Sequence, residues 1–225
     1  MAAGLSLVAG GGVVAPFDPA KILPAPERPT LSELFPSSAR DGGATGFLLA
    51  HMARGKPMLW VQERMAMIEA GRIYPPGLGR SDLIHVDARD ARAALWAMEE
   101  GLRCSALGAV IGEIWGDPKA LDFTATRRLA VAAERNGVAA FLIRLGGHAN
   151  LSGARMRWRV ASAPSLGNAL DPKAPGVAAW DAELFRARGF APGRWIVSDE
   201  DPANCFPMVA AAVDRTLVEG ERRVG

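Results

Sequence analysis

The sequence predicts an α/β fold: a parallel sheet with helices on both faces and an antiparallel strand extension in its C-terminal part. Short apolar runs alternate with helical patterns over the first two thirds of the chain. This alternation is typical of βαβ units. After Arg144 the runs are separated by turn-rich loops instead, which favours antiparallel strands at the edge of a parallel core. We divide the chain into a Gly/Pro-rich N-terminal arm, residues 1–29, and one domain, residues 30–225.

The composition excludes several classes of protein. A length of 225 residues suffices for one sizeable core, and a net charge of +2 demands neither a nucleic-acid nor an acidic partner. No run approaches the roughly 18 apolar residues needed to cross a bilayer. The N-terminus carries no positive charge before Lys21, so we expect no secretory signal and a cytoplasmic location, without membrane contact. Cys104 and Cys205 lie far apart, and the histidines show no ligand spacing, so we expect free thiols and no metal.

A predicted strand, a glycine-bearing loop and a predicted helix follow one another within residues 30–54. This is the context of a phosphate-binding loop. Against the pattern G-x-x-x-x-G-K-[ST], Gly43, Ala44 and Thr45, preceded by Gly42, fall on the last three positions and Ser38 replaces the first glycine. Alanine stands where a lysine should reach the terminal phosphates. The loop therefore predicts a degenerate nucleotide site without a cofactor, and ATP with Mg²⁺ is kept as the alternative.

The next elements are a buried strand at 57–62, with Gln62, Glu63 and Arg64 at its carboxyl tip, and a short strand at 83–86. Asp87 is predicted to cap the helix that follows. The buried stripe of that helix comprises Ala91, Leu95, Met98 and Leu102.

A second βαβ unit lies at the centre of the chain. The run from Leu107 carries Glu113 near its end, and Asp117-Pro118 predicts the start of a helix that ends at Asn136-Gly137. The next strand ends at Arg144. Ligands of parallel sheets bind outside the carboxyl ends of the strands, so acids and an arginine there indicate a site.

The last third begins with alternating arginines. Arg155, Arg157 and Arg159 alternate with apolar residues, so a strand would place three guanidinium groups on one face. That face is either solvated or a stripe that binds phosphate or acidic groups. Residues 180–188 and 194–197 are predicted to form a hairpin, and a further strand follows a turn at 199–204.

From about Leu31 to the C-terminus the chain resembles the ImuA family. The stretches that carry the resemblance are Trp60–Ala66, Arg89–Arg103, Val110–Gly116, Thr126–Arg135 and Ala154–Val160. The resemblance implies a RecA-like, P-loop-type core and a role in SOS-induced, error-prone translesion DNA synthesis. It also implies as partners ImuB, a polymerase relative without catalytic residues, and RecA, together with an alternative replicative-type polymerase.

The resemblance assigns roles to the strand-end residues. Glu113 would occupy the tip of the Walker B strand and Glu63 the place of the activating glutamate, whereas Ala44 replaces the lysine. Arg144 would lead into the counterpart of the second DNA-facing loop, which runs to Gly153.

Our leading hypothesis is a non-catalytic scaffold, a pseudo-ATPase that docks ImuB and RecA. Its candidate surfaces for DNA or partner proteins are Arg144, Arg155, Arg157 and Arg159. One alternative is a DNA-stimulated ATPase with a degenerate loop, in which Arg64 or Arg40 replaces the lysine. Another is a cell-division inhibitor related to SulA.

Overall fold

A computed structural model describes residues 29–52, 55–78, 82–165, 168, 171, 174–189 and 191–198, together with the backbone of strands at 8–9, 12–13 and 208–210. These residues form a short two-stranded sheet, a nine-stranded sheet and four α-helices. The strands are β1 Val8–Ala9, β2 Gly12–Val13, β3 Leu31–Pro36, β4 Met58–Glu63, β5 Leu83–Ala88, β6 Ala109–Trp115, β7 Ala139–Leu145, β8 Met156–Ala163, β9 Ala179–Ala187, β10 Gly193–Ser198 and β11 Met208–Ala210. The helices are α1 Gly43–His51, α2 Arg64–Ala70, α3 Ala91–Gly101 and α4 Phe123–Asn136, with a 3₁₀ turn at Pro75–Leu78.

The large sheet has the order β11-β10-β9-β8-β3-β7-β6-β4-β5. The strands from β8 to β5 are parallel to one another. Strands β9, β10 and β11 extend the β8 edge in antiparallel fashion. The prediction of a parallel core with an antiparallel extension is therefore confirmed, and so is the predicted hairpin, which β9 and β10 form.

Helices cover both faces of the sheet, as predicted. On one face α1 and α2 pack on an aromatic core that contains Phe47, Trp60 and Trp158. On the other face α3 and α4 bury Met98 and Leu129 against the sheet. Full burial of such side chains contributes about 1.5–3 kcal/mol each, so both layers stabilise the fold.

Two helix starts differ from the prediction. Helix α3 is capped by Asp90, which accepts a hydrogen bond from the Ala93 N–H at 2.8 Å, and not by Asp87. Helix α4 starts at Phe123, because Asp122 accepts from the Ala125 N–H at 2.7 Å. The predicted start at Asp117-Pro118 is wrong, because the Asp117 carboxylate is hydrogen-bonded to Arg144 and His148 instead. The predicted end of this helix is confirmed, since Gly137 adopts the left-handed conformation with φ 69°.

Several predictions fall partly or wholly outside the described residues. The arm at 1–29 is described only in the β1/β2 pair and at Pro29, and Cys205 and the residues after 210 lie outside. Cys104 is a free, exposed thiol. Within the described segments no helix is long and apolar enough to cross a membrane. The same segments hold no group of three or more His, Cys, Asp or Glu side chains arranged to bind a metal ion.

Candidate functional site

The loop between β3 and α1 binds an anionic group of the protein itself, the carboxylate of Asp41. The Asp41 carboxylate accepts hydrogen bonds from the backbone N–H of Gly43 at 2.8 Å and from the backbone N–H of Ser162 at 3.1 Å. The hydroxyl of Ser162 donates to it at 2.6 Å, and the hydroxyl of Ser37 is a fourth donor. Free N–H groups at a helix N-terminus are the usual anchor of phosphate groups. Here a side chain of the same loop takes one of them.

The ionised form of Asp41 is stabilised by this arrangement. Partial burial alone would raise the pKa of its carboxyl group. The hydrogen bonds from Ser162, Ser37 and the backbone N–H of Gly43 outweigh that effect and lower the pKa from 3.8 to about 2.

Substitution of Asp41 should therefore give a pH-dependent loss of stability. A group whose pKa is lowered on folding stabilises the protein above its unfolded pKa, and the contribution fades as the pH falls through the folded pKa. We expect Asp41→Asn to cost about 1–2 kcal/mol at pH 7. The difference from the parent chain should shrink as the pH falls from about 4 towards 2, measured by urea unfolding. Asp87→Asn, at an exposed ion pair with Arg72, is the control and should cost little. A deficit of Asp41→Asn that is unchanged by acid would contradict this assignment.

The remaining loop residues leave little room for a nucleotide-binding lysine. Ala44, at the predicted lysine position, is 1% exposed and packs with Phe47 in the core under α1. A Cβ atom at Gly43 would lie 2.6 Å from the backbone nitrogen of Ser162, so β8 approaches the loop closely. Gly42 is exposed and Thr45 is half-buried.

Glu113 at the end of β6 is buried and already hydrogen-bonded. The indole N–H of Trp60 donates to one carboxylate oxygen at 3.0 Å, and the amide of Gln62 donates to the other at 2.6 Å. Burial raises the pKa of Glu113, and these two hydrogen bonds oppose that rise. Gln62 in turn contacts Nε2 of His85 at 3.0 Å, so the acid belongs to a polar network that also holds the edge strand β5.

Glu63, the other predicted acid, is 7% exposed at the end of β4. It accepts a hydrogen bond from the backbone N–H of Trp115 at 3.2 Å, which ties the ends of β4 and β6 together.

A buried ion-pair cluster lies on the α4 face of the sheet. Its centre is Glu33 in β3, which is 0% exposed. Its carboxylate accepts from Nε of Arg157 at 2.7 Å and from the hydroxyl of Ser152 at 2.8 Å, and Nη1 of Arg144 lies 3.6 Å away. Phe35 packs under both guanidinium groups, whose centres lie 5.6 and 5.2 Å from its ring centroid. These contacts link the adjacent strands β8, β3 and β7 at the centre of the sheet.

Arg144 also explains why Asp117 caps no helix. Its Nη2 donates to Asp117 at 2.5 Å and to the carbonyl of Gly116 at 3.3 Å. His148 contacts the other Asp117 oxygen through Nδ1 at 2.7 Å. Partial burial opposes ionisation of Asp117, but these bonds prevail and lower its pKa.

The three alternating arginines differ in burial and in partners. Arg157 is 3% exposed and belongs to the Glu33 cluster, so a solvated stripe through it is wrong. Arg155 pairs with Glu134 of α4 at 2.7 Å, and Arg159 pairs with Glu183 of β9 at 3.1 Å. Arg144 and Arg157 are thus engaged in buried ion pairs with Glu33. The binding role of Arg155 and Arg159 stays a prediction.

Sequence patterns missed Asp41, Glu33, Gln62 and Asp117. The one available signal was an acid inside the apolar run of β3, since a charged residue is rarely buried unless it is paired. Some of their partners, such as Ser162 for Asp41 and Arg157 for Glu33, lie 121 and 124 positions away and left no local sign.

The parallel core with its antiparallel extension defines an α/β domain, in which the loop from β3 into α1 and the acid at the end of β6 lie at the carboxyl ends of parallel strands. Comparison with curated proteins narrows the class. The chain is 32% identical over 189 residues to Protein ImuA of Caulobacter vibrioides, strain NA1000 / CB15N, across 76% of this chain and 74% of that protein. Protein ImuA of strain ATCC 19089 / CB 15 gives the same values. The chain therefore belongs to the ImuA family, which is linked to translesion DNA synthesis. A scan against family models found no match.

Proposed function

We propose that this protein is a non-catalytic RecA-like scaffold of translesion synthesis that docks ImuB and RecA. Membership of the ImuA family supports the link to translesion synthesis. The observation that carries the non-catalytic part is the Asp41 carboxylate, which accepts from an N–H group at the start of α1 and so takes a place where a phosphate would bind.

The chemistry of phosphoryl transfer supports the same proposal. Such transfer depends on positioning and on positive charge around the phosphates. In this loop the charge that is hydrogen-bonded at the helix start is the negative one of Asp41, and a small core residue, Ala44, stands at the lysine position. Both oxygens of Glu113 are engaged by Trp60 and Gln62, which leaves this acid shielded from a bound metal.

A docking role is supported by the apolar surface around the open edge of the sheet. Strand β5 is the last strand on its side, so one row of its backbone groups lacks a partner strand among the described residues. Exposed apolar side chains lie on the elements beside it. They are Met65 and Ile68 in α2, Tyr74 in the following loop, Ile84 in β5 and Trp96 in α3, which are 42–70% exposed. Helices α2 and α3 lie on opposite faces of the sheet, so these side chains flank the open edge from both sides, and exposed apolar groups beside an unpaired strand indicate a protein-binding edge.

Trp96 provides the test of this surface. It is 65% exposed, so its removal should leave the core intact. Large aromatic side chains often dominate the affinity of an interface. We expect Trp96→Ala to weaken capture of ImuB or RecA about tenfold or more, which corresponds to about 1.4 kcal/mol. The measurement is a pull-down of purified partners by the full chain, followed by titration.

Leu151→Ala is the matched control, because Leu151 is 71% exposed but follows β7, several strands from this edge. It should bind the partners like the parent chain. If the parent chain bound neither ImuB nor RecA, the scaffold proposal would be refuted. Equal binding by parent and Trp96→Ala would refute the assignment of the surface.

A further inference from the structure

Two grooves lined by arginines lie on either side of α4. The first lies beside α3 and has a volume of about 620 Å³; the second, of about 560 Å³, reaches the end of β9. Arg127 and Val131 belong to both, so the two grooves form one surface that crosses the helix. The other arginines are Arg103, Arg128 and Arg135 in the first groove, and Arg155, Arg186 and Arg188 in the second. We call this the arginine surface.

Much of this charge is not neutralised within the chain. Glu99 is the one carboxylate in the lining of the two grooves, and it pairs with Arg103 and Arg128. Three exposed members, Arg127, Arg135 and Arg186, form no ion pair with the described residues. Arg188 lies close enough to Glu134 for its charge, with the hydrogen bond from Arg155 as the main cause, to lower the pKa of that carboxyl group. The whole chain has a net charge of only +2, so positive charge is concentrated here. Such a surface raises the local concentration of polyanions.

The dimensions of the surface fit a phosphate backbone. Arg127 and Arg135 lie eight positions apart on α4, which corresponds to about 12 Å along a helix. One strand of B-form DNA rises about 3.4 Å per nucleotide along the duplex axis, so a length of about 12 Å parallel to that axis spans three to four nucleotides of one strand. The arginines of the second groove extend the positive surface from α4 towards β9. The surface therefore has width as well as length, which contact with a nucleic-acid backbone requires.

The surface suits a nucleic acid better than an acidic peptide. A docked amphipathic helix needs apolar anchors at i, i+3 or i+4, and i+7. Here the large exposed apolar groups are Val131 at 47% and Phe123 at 39%. Phe123 is the one aromatic residue in the lining, and one ring is too little for the stacking of successive bases. The surface is therefore suited to contacts with the phosphate backbone of a nucleic acid.

We propose that the arginine surface binds the phosphate backbone of DNA without sequence preference. This property goes beyond the docking of ImuB and RecA and does not depend on it. It also differs in place from the buried Arg144 and Arg157, which cannot reach a backbone without leaving their ion pairs with Glu33.

The test compares two triple variants of the full chain. One is Arg127→Gln, Arg135→Gln and Arg188→Gln. The other removes the same charge elsewhere through Arg64→Gln, Arg89→Gln and Arg92→Gln, at exposed positions on or before α2 and α3. Fluorescence anisotropy with labelled single-stranded and duplex oligonucleotides of mixed sequence is measured between 50 and 200 mM salt.

We expect the first variant to bind at least tenfold more weakly at about 100 mM salt. Its salt dependence should fall by about 0.9 per lost phosphate contact for duplex and about 0.7 for single strands, which tells the two forms apart. The second variant should bind like the parent chain. Equal melting temperatures establish that the variants are folded.

Three results would overturn the proposal: no binding by the parent chain at 50 mM salt, equal binding by the parent and the first variant, or an equal loss in both variants. Binding of a polyglutamate peptide in place of either oligonucleotide would also overturn it, and would assign the surface to an acidic protein segment.

Discussion

Replacement of Glu33 by glutamine is expected to lower the free energy of unfolding by about 3–5 kcal/mol. The carboxylate is 0% exposed and lies against the buried guanidinium groups of Arg157 and Arg144. Arginine stays protonated in proteins, so loss of the negative charge leaves two buried cations, with Asp117 as the remaining acid near Arg144. Urea unfolding at pH 7 measures the loss.

The matched control is Glu183→Gln. Glu183 pairs with Arg159 on the neighbouring strand, but both side chains are more than a third exposed. Such pairs contribute between about 0 and 1 kcal/mol, so the control should unfold almost like the parent chain. A loss below about 1 kcal/mol for Glu33→Gln would show that the two arginines find other compensation.

A double variant tests whether the loss comes from buried charge. Arg157→Leu alone leaves Glu33 with a single, more distant guanidinium at 3.6 Å and should also be costly. Combined with Glu33→Gln it removes one of the two orphaned cations. The double variant should therefore be more stable than the sum of the single losses by about 1 kcal/mol or more, which is the signature of a direct pair. Strict additivity would contradict the ion-pair assignment.

The fold was predictable because its signals are local. Each parallel strand is a short apolar run, as in Met58–Glu63, and each crossover helix carries its own stripe and end signal, such as Gly137. The hairpin of β9 and β10 was equally visible from its turn residues. Helix starts were less predictable, because Asp117 and Asp122 both fit a cap and only distant groups decide between them. Arg144 and His148 occupy the first, and the second is left to cap α4.

The site was less predictable, because its interactions join distant parts of the chain. Arg157 and Glu33 are 124 positions apart, and Ser162 and Asp41 are 121 apart. Alternation alone treats Arg155, Arg157 and Arg159 alike. The order of the sheet distinguishes them, because it places β8 directly beside β3 and so sets Arg157 opposite Glu33. The absence of a lysine at position 44 was visible in the sequence, but the carboxylate that sits at the helix start was not.

Restoring the missing lysine through Ala44→Lys is expected to destabilise the fold without creating a nucleotide site. Ala44 is 1% exposed and packs among Phe47, Leu48 and other core residues. A lysine there must either bury its ammonium group or push α1 away from the sheet. We expect a loss of about 3 kcal/mol or more in urea unfolding. Neither the parent chain nor the variant should melt at a higher temperature with Mg-ATP, because the Asp41 carboxylate repels a phosphate at the helix start.

Gly42→Lys is the control, since Gly42 is exposed and a Cβ there meets no atom within 4 Å. It adds the same charge one residue before α1 and should cost about 1 kcal/mol or less. The competing hypothesis of a DNA-stimulated ATPase makes the opposite prediction. A ligand at 100 times its Kd stabilises the folded state by about 2.7 kcal/mol, so a working site would raise the melting temperature of the parent chain. A rise in the parent chain, or a stable Ala44→Lys that gains one, would show that this loop accepts phosphate and would contradict the pseudo-ATPase.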